Sequence, residues 1–139
     1  MDIQIKNAIM DAVKQEPFAK TYGIKLVDLD LGYSVVELMY EPETMNNLFS
    51  RAHGGAIFAL IDEAFQSACQ THGTVAVALN VNVTYISSPR NRTLLRAIAK
   101  EINKTRKTAN YDIRVTDPEN QLIATCQALA YRTGKPLPF

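Results

Sequence analysis

At 139 residues the chain is the size of one domain, long enough to bury a core without disulfide or metal staples. Apolar residues make up 47% and charged residues 21%, which excludes a disordered chain, and no apolar run approaches the roughly 20 residues needed to span a bilayer as a helix. The net charge of +1 gives no bulk attraction for nucleic acid. Cys69 and Cys126 sit among apolar neighbours without metal-ligand or redox spacing, so both are expected as buried thiols in a reducing compartment.

The N-terminus carries Asp2 and Asp11 and no long apolar core, so it does not read as a signal peptide, and a cytoplasmic protein is expected. Ile3, Ile5, Ala8, Ile9, Ala12 and Val13 recur at helical spacing and predict a short amphipathic helix over about 3–15, ended before Pro17. Residues 23–31 alternate imperfectly like a strand. Gly32 turns the chain into a second strand over Tyr33–Tyr40, and the two read as a hairpin. Residues 42–52 show no periodicity. A helical, largely apolar pattern then runs over about 54–70 and stops at His72-Gly73, with Gly73 supplying the left-handed conformation common after a helix.

From Val75 to Tyr85 the odd positions are Val75, Val77, Leu79, Val81, Val83 and Tyr85, the cleanest strand pattern in the chain. Pro89-Arg90-Asn91-Arg92 breaks it. Further strands are predicted over 94–103, 109–116 and 122–132, separated by the basic turn Lys104-Thr105-Arg106-Lys107 and by Asp117-Pro118-Glu119-Asn120. The tail over about 134–139 is expected to fray. Helices and strands are segregated, which predicts a single α+β domain over 1–139, an antiparallel sheet wrapped around the long apolar helix.

The chemistry concentrates around that helix. His53-Gly54-Gly55 opens it, and two glycines leave the free N–H groups of a helix start open to a ligand oxygen. Asp62 and Glu63 follow within the apolar run, too far from the N-terminus to cap it. A carboxylate in such surroundings needs a partner or a task. An oxyanion site and a buried carboxylate on one helix point to acyl transfer. Adjacent helical positions diverge by about 100°, so only one of the two carboxylates enters a given site. Sequence alone barely separates them.

With Asn47, His53-Gly54-Gly55, Asp62, the segment Asn82-Val83-Thr84-Tyr85-Ile86 with Pro89, and Tyr131-Arg132, the chain resembles the hotdog-fold acyl-CoA thioesterases, and within them the PaaI-like (phenylacetic-acid-degradation) family. The resemblance implies a hotdog fold and homo-oligomers, as dimers or dimers of dimers, with sites shared across the interface. It implies hydrolysis of acyl-CoA with no metal or organic cofactor, while the charge and the short apolar runs already leave neither nucleic acid nor membrane as an expected partner. It selects Asp62 as general base or nucleophile and Gly54 as oxyanion donor. Asn47 would orient water or the acyl carbonyl, and His53 would contact the thioester or hold the loop. Three positions depart from the family pattern. Residues 48–52 lack the usual glycine, Ala78 stands where some relatives carry a serine, and residues 90–93 lack a glycine common after Pro89.

Gly55 and Asn82 are further candidates for substrate contact. Arg90, Arg92, Lys104, Arg106 and Lys107 cluster in two turns and suit the phosphates of coenzyme A, although solvated basic turns are common. Glu63 is expected to pair with a basic residue or a subunit neighbour. His72 is expected as a helix-end residue, and Phe49, Phe58 and Phe65 as candidates for an acyl pocket or plain core. Two alternatives remain open at this point: a non-catalytic acyl-CoA binding module, and a hotdog hydratase or dehydratase.

Overall fold

The structure, a computed structural model, describes residues 1–139. Helix α1 spans Ile3–Gln15, and the Asp2 carboxylate caps it by accepting from the Gln4 and Ile5 N–H groups. Pro17 ends α1, as expected, but also opens a short helix α2, Pro17–Tyr22, because a proline at the first helical position forfeits no hydrogen bond. The hairpin follows as β1 (Lys25–Asp30) and β2 (Tyr33–Tyr40). Gly32 turns it at φ +65°, where a Cβ would also stand 2.8 Å from that of Glu101. A four-residue helix α3 (Pro42–Met45), too short to leave a periodic signal, interrupts the connection. Then come α4 (Gly54–Cys69), β3 (Thr74–Tyr85), β4 (Thr93–Lys104), β5 (Thr108–Thr116) and β6 (Leu122–Pro136).

All five strand pairings are antiparallel, in the order β1-β2-β4-β5-β6-β3. The sheet curls around α4, which packs Ile57, Leu60, Ile61, Ala64, Phe65 and Ala68 onto Leu38, Tyr40, Leu95, Ala97, Tyr111 and Ile113. The alanines at 97, 99, 128 and 130 let the sheet approach the helix closely, and the Ser34 hydroxyl donates to the Ala64 carbonyl at 2.6 Å to fix the contact. This is the hotdog arrangement.

Four expectations change. First, α4 is not enclosed all round. Gly55, Phe58, Asp62 and Gln66 are exposed, and their spacing of three and four residues makes one open stripe along the helix. Second, the alternation of β3 does not run unbroken. A bulge at Leu79 inserts one residue between Ala78 and Asn80, so even positions face the helix before it and odd positions after it. Third, the tail is held as far as Leu137. β6 continues to Pro136, opposite Thr74, the Thr133 hydroxyl donates to the Val75 carbonyl at 2.8 Å, and Leu137 packs on the core. Fourth, of the three phenylalanines only Phe65 is plain core. Phe65 is sealed in the core, edge-on to Tyr111 at 5.4 Å between ring centroids, whereas Phe49 and Phe58 reach solvent.

β3 is an edge strand, hydrogen-bonded only to β6, and it runs for twelve residues with Val77, Leu79 and Tyr85 exposed. A long, apolar, unpaired edge is a template for another strand.

Candidate active site

The start of α4 is held by a short loop that the sequence builds from Asn47. The Asn47 Oδ1 accepts from the N–H groups of Phe49 at 2.8 Å and Arg51 at 3.2 Å, and the Asn47 N–H donates to the Arg51 carbonyl at 2.8 Å. Asn47 is thus a turn former whose side-chain oxygen is already used, while its amide nitrogen makes no hydrogen bond in the chain and the residue lines the neighbouring cleft. Ser50 adopts φ +56° inside this turn, a left-handed conformation that favours glycine and that a serine supplies here. The loop is tied to the β3–β4 connection. The Ala52 N–H donates to the Pro89 carbonyl at 2.9 Å, the Ser88 hydroxyl to the Ala52 carbonyl at 2.9 Å, and Arg51 to the Ser88 carbonyl at 3.1 Å.

The two glycines divide at this helix start. His53 is the N-cap: its Nδ1 accepts from the Gly55 N–H at 2.8 Å, which consumes that donor and leaves the ring hydrogen on Nε2. His53 therefore holds the loop, and Gly55 is not a free donor. The Gly54 N–H makes no hydrogen bond within the chain. It opens onto a cleft of about 440 Å³ lined by Asn47, Arg51, Ile57, Tyr85 and Ser87. Tyr85 lies against Gly54, its hydroxyl donating to the Gly54 carbonyl at 3.1 Å, and a Cβ at position 54 would meet the Tyr85 ring at 3.2 Å. Only glycine fits without moving the ring. The sequence flagged Tyr85 within a motif but gave it no role.

Asp62 stands on the open stripe of α4 with no hydrogen bond or cation partner in the chain. The mass of protein around it raises its pKa by desolvation, and the charge of Glu16 adds to that. Eight residues along an α-helix are about 12 Å, so Asp62 and Gly54 of one chain do not meet at one carbonyl group.

Glu63 points inward, only 4% exposed. It has no basic partner within the chain, so of its two expected roles the ion pair is not formed here. Its carboxyl accepts from Gln66 at 3.3 Å and from Ser67 at 3.4 Å. Gln66 also donates to Glu16 at 2.6 Å, so α4 meets the α1–α2 joint through two carboxyl groups and one amide. Burial, then the charge of Glu16 and a hydrogen bond with it, push the Glu63 carboxyl up to about 8, so it carries a proton at neutral pH. Glu16, fifty residues before Gln66, left no local signal. His72 likewise has a partner the sequence did not show, with its Nε2 2.7 Å from Glu101, which also accepts from Tyr111 at 2.9 Å.

The remaining candidates are not brought together within one chain. Asn82 stands beside Gln127 on the outer face of the sheet, because Val81 and Val83 turn inward. Arg90 borders a polar cleft of about 590 Å³ with Arg51, next to the Gly54 cleft, while Arg92 is engaged by Glu41 at 2.8 Å. Lys104, Arg106 and Lys107 lie at the other end of β4, near the C-terminus of α4, and Lys107 is occupied with Tyr131 at 3.5 Å. A twelve-residue strand spans about 40 Å, so the two basic turns do not form one patch on a single chain. Both thiols are buried as expected, and burial pushes Cys69 up to about 12 and Cys126 to about 11. No helix is long and apolar enough to cross a membrane.

A family model described as "Thioesterase superfamily" matches residues 49–124. A provisionally assigned esterase of Archaeoglobus fulgidus is 34% identical over 125 residues, covering 90% of this chain and 80% of that one. The acyl-coenzyme A thioesterase PaaI of Escherichia coli is 29% identical over 116 residues, covering 84% and 82% respectively. The solved structure of the E. coli PaaI protein superposes with a TM-score of 0.90 at 26% identity over 95% of both chains. A Streptococcus mutans protein solved bound to acetyl CoA superposes at 0.76, 25% identical, over 82% of this chain and 91% of that one.

Proposed function

Because this chain belongs to the thioesterase superfamily and is a PaaI-like hotdog thioester hydrolase, we propose that it hydrolyses acyl-CoA at sites shared by two copies of itself. One observation carries the reading. The Gly54 N–H and the Asp62 carboxylate are both left without partners, yet they lie about 12 Å apart on one helix. Two copies joined antiparallel through their β3 edges bring the open α4 stripe of one against the Gly54 end of the other. The apolar Val77 and Leu79 then become interface rather than exposed edge.

In that site the thioester carbonyl accepts from the Gly54 N–H at the positive end of α4, and Asn47 donates from its amide nitrogen. Asp62 of the facing copy takes a proton from water. The hydroxide adds to the carbonyl carbon, and the resulting oxyanion rests on Gly54. The tetrahedral intermediate collapses, the carbon–sulfur bond breaks, and the departing thiolate takes the proton from Asp62. The raised pKa of Asp62 favours this step, because a more basic carboxylate is a better proton acceptor near neutral pH. Arg51 and Arg90 receive coenzyme A phosphates in the adjoining cleft. Antiparallel pairing also carries the Lys104–Lys107 turn of the second copy toward the same end.

The test is complementation. Asp62→Asn and Gly54→Val are each expected to abolish thiol release from acyl-CoA while remaining folded and dimeric. Mixed, unfolded and refolded together, they should recover about a quarter of the sites, since half the dimers are mixed and each mixed dimer holds one intact site. Full turnover by Asp62→Asn would end the assignment of the base. No recovery in confirmed mixed dimers would end the shared site.

A further inference from the structure

A cavity of about 410 Å³ lies between α1, the C-terminal half of α4, the start of β3 and the last three residues of the chain. Its walls are apolar, from Val13, Val75, Leu137 and Phe139, and Gln66 stands on its rim. Gln66 is one helical turn beyond Asp62 on the open stripe of α4. In an antiparallel pairing of β3 edges, the Gly54 end of the second copy falls beside the Thr74–Ala78 end of the first, where Val75 borders the cavity. We propose that this cavity receives the acyl group of the thioester held at Gly54 of the second copy, so that α1 and the C-terminal tail set acyl specificity.

The assignment rests on the shared site proposed above. The cavity has the size of a small-molecule pocket, roughly 300–1,000 Å³. No lysine or arginine lines it, and the acid on its rim is Glu16, so neither phosphate nor a carboxylate-ended acyl group fits its charge. A neutral medium-length chain or a single ring does. The walls from α1 and the tail lie outside residues 49–124, the span shared with the thioesterase superfamily. The walls that α1 and the tail contribute are thus separate from Gly54 and Asp62, which carry the hydrolysis.

The experiment compares kcat/KM for acetyl-, octanoyl-, phenylacetyl- and glutaryl-CoA. Ala12→Phe, which fills the cavity from α1, is expected to lower the octanoyl and phenylacetyl values tenfold or more and leave acetyl-CoA within twofold. Leu137→Trp fills it from the tail and carries the same expectation if the helix variant does not fold. Removal of Pro138 and Phe139 should move the optimum to longer chains, and wild type should prefer octanoyl- to glutaryl-CoA. Equal change across all acyl groups, or none, in folded dimeric variants overturns the pocket while leaving the hydrolytic reading intact. That reading fails separately if Asp62→Asn hydrolyses these substrates as wild type does.

Discussion

Glu63→Gln should make the protein more stable at alkaline pH, and the size of the effect follows from where the carboxyl sits. Below pH 4.5 the group is protonated in both the folded and the unfolded chain, and its ionisation costs nothing. Between 4.5 and about 8 the unfolded chain releases the proton while the folded chain keeps it beside Glu16. Folding stability therefore falls as pH rises through this window, and the loss is complete above about 8. A carboxyl held protonated that far above its ordinary value corresponds to roughly 3–5 kcal/mol. Glutamine keeps the acceptor used by Gln66 and Ser67 and offers Glu16 an amide hydrogen instead of a second charge. Urea unfolding from pH 5 to pH 9, at one fixed protein concentration because assembly contributes to stability, reads the difference directly. Wild type and variant should lie within about 1 kcal/mol at pH 5 and diverge by about 3–5 kcal/mol at pH 9. Parallel curves across that range would mean that Glu63 ionises in the folded state and that the Glu16–Glu63 contact holds no shared proton.

Ser50→Gly should raise stability by about 0.5–1 kcal/mol, the relief of a left-handed serine less the entropy glycine adds to the unfolded chain. Calorimetry should show a Tm higher by about 2–4 °C, and a lower Tm would show that the Ser50 side chain contributes something the turn needs. Gly54→Ala should lower kcat by about 100-fold through displacement of the helix start by Tyr85. Adding Tyr85→Ala should restore part of it, whereas a fully active Gly54→Ala would remove this N–H from the mechanism.

Much of the fold was legible because its signals are local. Alternation placed five of the six strands within two residues at both ends, and the glycine pair and the polar stop bounded α4. What failed did so for long-range reasons. The bulge at Leu79 reverses which side of β3 faces the helix, and nothing in Val75–Tyr85 announces it, because the register is set by pairing with β6. The tail over 134–139 has the composition of a frayed end, but Thr133 and Pro136 find partners on β3. In the site, Gly54, Asp62 and Asn47 carried readable motifs. The use of the Gly55 donor by His53 was not readable, nor was the arrival of Glu16 at Glu63, since both depend on side-chain directions fixed only by packing.

The strand order also governs the protein's synthesis. β3 is made third among the strands but occupies the far edge, and its only partner is β6, the sixth of them to be made. Until residues 122–136 emerge, a twelve-residue segment rich in valine has no neighbour in its own chain. The hairpin of β1 and β2 can form early, yet the curled sheet cannot close before β6 emerges. The nascent chain therefore passes through a stage in which its stickiest strand has both edges open. Crowded polysomes would favour pairing between neighbouring nascent chains over closure within each one, and chaperone demand should rise with the number of ribosomes on one message even though the finished domain is small.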